Sequence, residues 1–169
     1  MHMNTDRIEK SIVLRAPLDR VWNAVSDAKQ FGSWFGVAFD GPFKENTRLT
    51  GKIVPTTADP EVAKLQEPHR GKPFDFTVER IEPPRRISFR WHPFAIEPGV
   101  DYSREPMTSI VFDLKAVPEG VLLTISESGF DGIPVARRAE AFKANEGGWE
   151  HQTQLIKKYL EQRAAQDRR

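Results

Sequence analysis

The chain has 169 residues, enough for one domain with a sizeable core, and its 38% hydrophobic and 29% charged residues read as an ordinary soluble globular protein and not a disordered or membrane chain. With 25 Lys plus Arg against 24 Asp plus Glu, net charge supplies no long-range attraction to nucleic acid or acidic lipid. Zero cysteines remove disulfides, thiolate metal sites and cysteine nucleophiles together.

The first residues, "MHMNTDRIEK", carry no apolar stretch of the kind a secretory signal needs, and no later segment approaches the roughly 20 apolar residues of a membrane helix. A cytoplasmic protein without a membrane span is expected. "RIEKSIVLRAP" sets Ile8, Lys10, Ile12 and Leu14 on one parity, which predicts a half-buried strand. Pro17 then suits a first helical position, with Val21, Trp22 and Val25 on one side of the helix it opens. Asp27 is placed to cap a second short helix, "AKQFGSWF", whose bulky residues are Phe31, Trp34 and Phe35.

A strand-rich middle follows. "VAFDGPF" is a short strand segment, and in "TRLTGKIV" the residues Leu49, Gly51 and Ile53 share a face. Residues 55–72 contain three prolines and read as a long excursion. "PFDFTVERI" alternates, with Phe74, Phe76 and Val78 opposite Asp75, Thr77 and Glu79, and "RRISFRWH" does the same with Ile87, Phe89 and Trp91. After a second irregular stretch come "TSIVFDLKAV" and "GVLLTISESGF", joined by the turn "PEG". Ile110, Phe112 and Leu114 share one face, as do Val121, Leu123 and Ile125.

The last element is a long helix from about Val135 to Gln162. Ala139, Phe142, Glu146, Trp149, Thr153, Ile156 and Leu160 recur at alternating steps of three and four, and this register runs unbroken through Gly147 and Gly148. Each glycine costs a helix about 0.5–1 kcal/mol relative to alanine, so the pair calls for a reason. Close packing, or an open space beside the helix, would supply one. Hairpin-length connections imply an antiparallel sheet with one apolar face, and the long helix is the available cover. The expected fold is α+β: a curved antiparallel sheet of about six or seven strands wrapped around the C-terminal helix, with two short helices after the first strand. One domain over residues 7–162 is expected, with disordered tails at 1–6 and 163–169.

"APLDRVWNAVSDAKQFGSWFG", the strands around "ISFRWHP", the hairpin "TSIVFDLKAVPEGVLLTISESGF" and "GGWEHQTQLIKKYL" together resemble the SRPBCC (START-like) superfamily. Within it they are similar to the branch homologous to the C-terminal domain of the activator of the 90-kDa heat-shock protein ATPase. The resemblance spans about Ile8 to Leu160. It implies a helix-grip fold with a hydrophobic cavity between sheet and helix, and missing Cβ atoms at Gly147 and Gly148 would leave room where the helix passes that cavity or packs tightly on the small helices. It does not fix function, because relatives include lipid and hormone binders, cyclases, oxygenase subunits and co-chaperones.

Trp149 is either core or pocket wall, an indole able to donate one hydrogen bond. Trp91, Phe89, Phe74, Phe76 and Phe112 stand in the same position, with Phe142 and Trp34 beside them. Glu127 continues the parity of Val121, Leu123 and Ile125, so it points inward, unless a strand end or bulge returns it to solvent; an inward carboxylate needs partners. Glu146 carries the same ambiguity from the helix. His92 and His151 read as surface residues, and no spacing supports a metal site or a nucleophilic serine. Arg137, Arg138 and Lys143 read as a solvated helix face. No cofactor, nucleic-acid partner or metal is expected. The leading functional reading is binding of a small hydrophobic or amphipathic molecule. A cyclase- or hydrolase-like enzyme using Glu127 or Glu146 with Tyr102, and a co-chaperone-like protein-interaction module, are the alternatives.

Overall fold

The computed structural model describes residues 6–95 and 99–167. Strand β1 (Arg7–Leu14) leads into α1 (Leu18–Ser26) and α2 (Ala28–Phe35), followed by β2 (Val37–Phe39), β3 (Thr47–Ile53) and α3 (Pro60–Gln66). Strands β4 (Pro73–Glu82), β5 (Arg86–Trp91), β6 (Thr108–Val117) and β7 (Gly120–Ser128) precede the long α4 (Val135–Asp167). All neighbours in the seven-stranded sheet, ordered β1-β7-β6-β5-β4-β3-β2, are antiparallel. A bulge between Val78 and Arg80 helps bend it. This is the helix-grip arrangement: the curved sheet turns its apolar face to α4, while α1 and α2 close one side.

Local chemistry explains the short elements. Asp27 accepts from the Gln30 amide at 3.3 Å and so caps α2, while Pro17 is the capping residue of α1 instead of its first helical residue. Trp34 reaches from α2 to the Ala24 carbonyl at 2.9 Å, which ties the two helices together through a buried indole. The excursion at 55–72 is not structureless. Asp59 accepts from the Glu61 and Val62 amides, and Pro60 opens α3, so an Asp-Pro start signal lay inside the proline-rich segment.

Helix α4 starts at Val135 as expected but runs to Asp167, so residues 163–167 of the expected C-terminal tail are helical. Residues 1–5 and 168–169 of the expected tails lie outside the described residues. Among the described residues no helix is long and apolar enough to cross a membrane.

Candidate ligand site around Glu127

β7 alternates buried and half-buried residues to its end, so Glu127 remains inward and is fully buried. An isolated buried carboxylate would be severely unfavourable, and the fold resolves this with four side chains that donate to it. Trp91 Nε1 donates to Oε2 at 2.7 Å, Thr108 Oγ1 to the same oxygen at 2.5 Å, and Trp149 Nε1 to Oε1 at 2.8 Å. Asn145 Nδ2 bridges both oxygens at 3.0 and 3.1 Å. Each donor is uncharged. A carboxylate only accepts and an indole N–H only donates, so both tryptophans turn their one polar function to it, while the Thr108 hydroxyl and the Asn145 amide, which could also accept, are turned to donate.

These donors come from β5, β6 and α4, and sheet register explains how they converge. Trp91 pairs with Thr108 across β5 and β6, and Ile110 pairs with Glu127 across β6 and β7, which leaves Thr108 diagonal to Glu127 on the same face. Helix α4 then lays Asn145 and Trp149, one turn apart, over the carboxylate. Glu127 thereby fastens the helix to strands β5, β6 and β7. With its oxygens occupied and no exposure, it is an anchor within the protein and does not face solvent.

The helix register corrects the sequence expectation. Trp149, Thr153, Ile156 and Leu160 are buried as expected, but Glu146 and Ala139 are exposed, and Ala141 and Asn145 occupy the inward positions of that turn. Glu146, expected to face inward, points to solvent instead. The physical reason is rotation: the buried stripe at the helix start passes through Ala141, Asn145 and Trp149, spaced by four, and Glu146 falls beside it. Gly147 and Gly148 are also exposed, and an added Cβ would meet nothing within 4 Å at either. Neither tight packing nor a cavity wall demands them.

The interior that the sequence reading left open is occupied by rings. Phe76 and Phe89 stack at 4.6 Å between centroids, Phe31 lies 4.7 Å from Trp34 and 5.7 Å from Phe112, and all five are buried. Trp91 stacks on Trp149 at 5.6 Å, and Phe74 meets Trp91 edge-on at 6.1 Å. Trp91 and Phe74 are only half-buried, so this end of the cluster reaches the surface. Phe142 is half-buried too and packs edge-on against Phe130 at 5.1 Å. Two concavities, of about 400 and 560 Å³, border α2 on the outside of the grip, and none of the ten expected site residues lines either.

Other residues fall less simply. His151 is exposed; His92 is half-buried, with Nε2 3.1 Å from the Glu105 carbonyl. Arg137 is not a solvated residue. It pairs with Glu105 at low exposure, donates to the carbonyls of Pro93 at 2.8 Å and Phe94 at 3.3 Å, and lies 4.8 Å from the Tyr102 ring centre. It thus fastens the loop after β5 to α4. Among the described residues no group of three or more His, Cys, Asp or Glu is arranged to hold a metal ion.

The fold is that of a helix-grip protein of the SRPBCC class. Residues 15–161 match the family described as Activator of Hsp90 ATPase homolog 1-like protein, and the chain belongs to that family. No curated protein matches the sequence. Among solved structures, DynU16 of the dynemicin biosynthetic locus is 24% identical with a TM-score of 0.63, over 92% of this chain and 47% of that one. The chain thus spans about half of that protein's length. Protein MLL2253 from Mesorhizobium loti is 17% identical with a TM-score of 0.66, over 92% of this chain and 97% of that one. A protein from Arthrobacter aurescens is 16% identical with a TM-score of 0.69, over 96% and 90%. At these identities the likeness extends to the fold.

Thr108 and Asn145 were missed as site residues. Both had a readable signal: Thr108 carries the parity of Ile110 and Phe112 back by one step, and Asn145 lies one turn before Trp149.

Proposed function

We propose that this chain binds a small, largely apolar molecule against the half-exposed Trp91–Phe74 end of its aromatic cluster, with Trp149 behind and Phe142 farther along α4. The single observation that supports this most is that the stacked indoles of Trp91 and Trp149 are both held by the Glu127 carboxylate, at 2.7 and 2.8 Å. A rigid aromatic wall loses little freedom when a ligand stacks on it, which favours affinity. Phe76, Phe89, Phe112 and Trp34 back that wall as core, and Glu146 lies outside it. Cytoplasmic location is part of the same proposal.

Native mass spectrometry of protein purified without added ligand tests it, followed by fluorescence titration with lipids and aromatic compounds. A co-purifying apolar molecule whose retention falls in Trp91→Ala and Phe74→Ala supports the reading. An empty protein without affinity across that library overturns it. The filled interior and the family description favour a second reading, a co-chaperone-like module that contacts a chaperone ATPase. Stimulation of an Hsp90-type ATPase by the chain, unaffected by Trp91→Ala, would select it. The cyclase- or hydrolase-like reading has less support, because its candidate acid is enclosed by donors.

A further inference from the structure

The two concavities beside α2 adjoin and share Lys29, Ser33 and Thr57 in their linings. Their chemistries differ. The basin of about 400 Å³ is otherwise lined by Gln30, Tyr159, Gln162, Arg163 and Gln166, so it holds two cations with Lys29 and no carboxylate. The trough of about 560 Å³ has apolar walls from Ala28, Val37, Phe39, Pro42, Val54 and Pro55. Its volume falls within the roughly 300–1,000 Å³ of small-molecule sites.

We propose that this continuous surface is a binding site for an anionic amphiphile: an alkyl chain in the trough carrying a carboxylate or phosphate-monoester head at Lys29 and Arg163. Among the described residues neither cation forms an ion pair, whereas nearby Lys158 is engaged by Asp59. Arg163 rests over the Tyr159 ring, 5.8 Å from its centre. The hydroxyls of Ser33 and Thr57 share a 2.6 Å hydrogen bond at the junction. Asp40 sets the orientation. It lines the trough, where its carboxylate accepts from the Thr50 hydroxyl, and it repels an oxyanion toward the cationic basin, whereas Asp27 stands between the two, accepting from the Gln30 amide. This site is separate from the Trp91–Phe74 wall and does not rest on it.

The test uses the 15N-labelled full chain, titrated with decanoate below its micellar concentration, with decyl phosphate, decanol and inorganic phosphate as parallel arms. Decanoate and decyl phosphate should shift the amides of residues 28–33, 37–41, 54, 56 and 57, with weaker effects from decanol and from inorganic phosphate; the tighter anion identifies the head. Lys29→Glu with Arg163→Glu, two exposed positions, should weaken decanoate about tenfold and leave decanol unchanged, as expected for two surface charge contacts. Val54→Asp should weaken decanoate and decanol together. The proposal fails if decanoate shifts Trp91 and Trp149 instead, if nothing shifts, or if charge reversal leaves decanoate binding intact in variants that melt like the parent.

Discussion

Glu127→Gln sets two physical terms against each other. The substitution keeps the shape and removes the charge, so the cost of holding a carboxylate away from water disappears. It also replaces one acceptor oxygen with an NH2 group. If that group takes the Oε2 position it faces the Trp91 indole N–H, at 2.7 Å in the parent, and if it takes Oε1 it faces that of Trp149, at 2.8 Å. Thr108 can rotate its hydroxyl to accept, but an indole cannot. One buried N–H is thus left without a partner in either orientation, at about 1–3 kcal/mol. We expect this to outweigh the relief of desolvation because the parent carboxylate is satisfied by four donors. For a chain of this size the midpoint of thermal unfolding should fall by about 2–12 °C. Urea unfolding followed by far-UV dichroism gives the free energy, and the indole N–H resonances show which tryptophan lost its acceptor. An equal or more stable variant would refute the claim that these hydrogen bonds outweigh the buried charge.

Gly147→Ala and Gly148→Ala should each stabilise the protein by about 0.5–1 kcal/mol, since a Cβ there meets open space; a lower melting temperature would contradict the exposed placement. Arg137→Ala should cost about 1–3 kcal/mol and speed amide exchange at residues 92, 94, 95 and 99–105, because the Glu105 carboxylate and two carbonyls lose their shared donor; unchanged exchange would show that the loop is held otherwise. Asp59 lies below the ordinary carboxylate value, chiefly through its hydrogen bond from Lys158. Its depressed value means that its contribution is complete above the ordinary value of 3.8 and is lost as pH falls through the lower folded one. Protection of α3 amides should decline over that acid range in the parent, and Asp59→Asn should remove the dependence.

Much of the fold was legible because strands with one buried face declare it by alternation. The parity of Phe74, Phe76 and Val78, of Ile110, Phe112 and Leu114, and of Val121 through Glu127 needs no distant information. The helix face was harder to read. A step of three or four is satisfied by more than one stripe in a long helix, and the choice between Asn145 and Glu146 depends on where β7 places its carboxylate. Arg137 was misread because its partners, Glu105 and the Pro93 and Phe94 carbonyls, are brought to it by a loop without periodicity. The glycine pair invited a packing explanation that the open helix face does not require.

The protein contains four tryptophans, and Trp34 spends its indole N–H on the Ala24 carbonyl, away from Glu127. Titrating 15N-tryptophan-labelled protein with 1-naphthol, and watching the four indole resonances, therefore addresses the proposed wall directly. Saturable, concerted shifts of Trp91 and Trp149, with Trp22 and Trp34 still, are the predicted result. Four unmoved resonances, or movement of Trp22 or Trp34 alone, would contradict it.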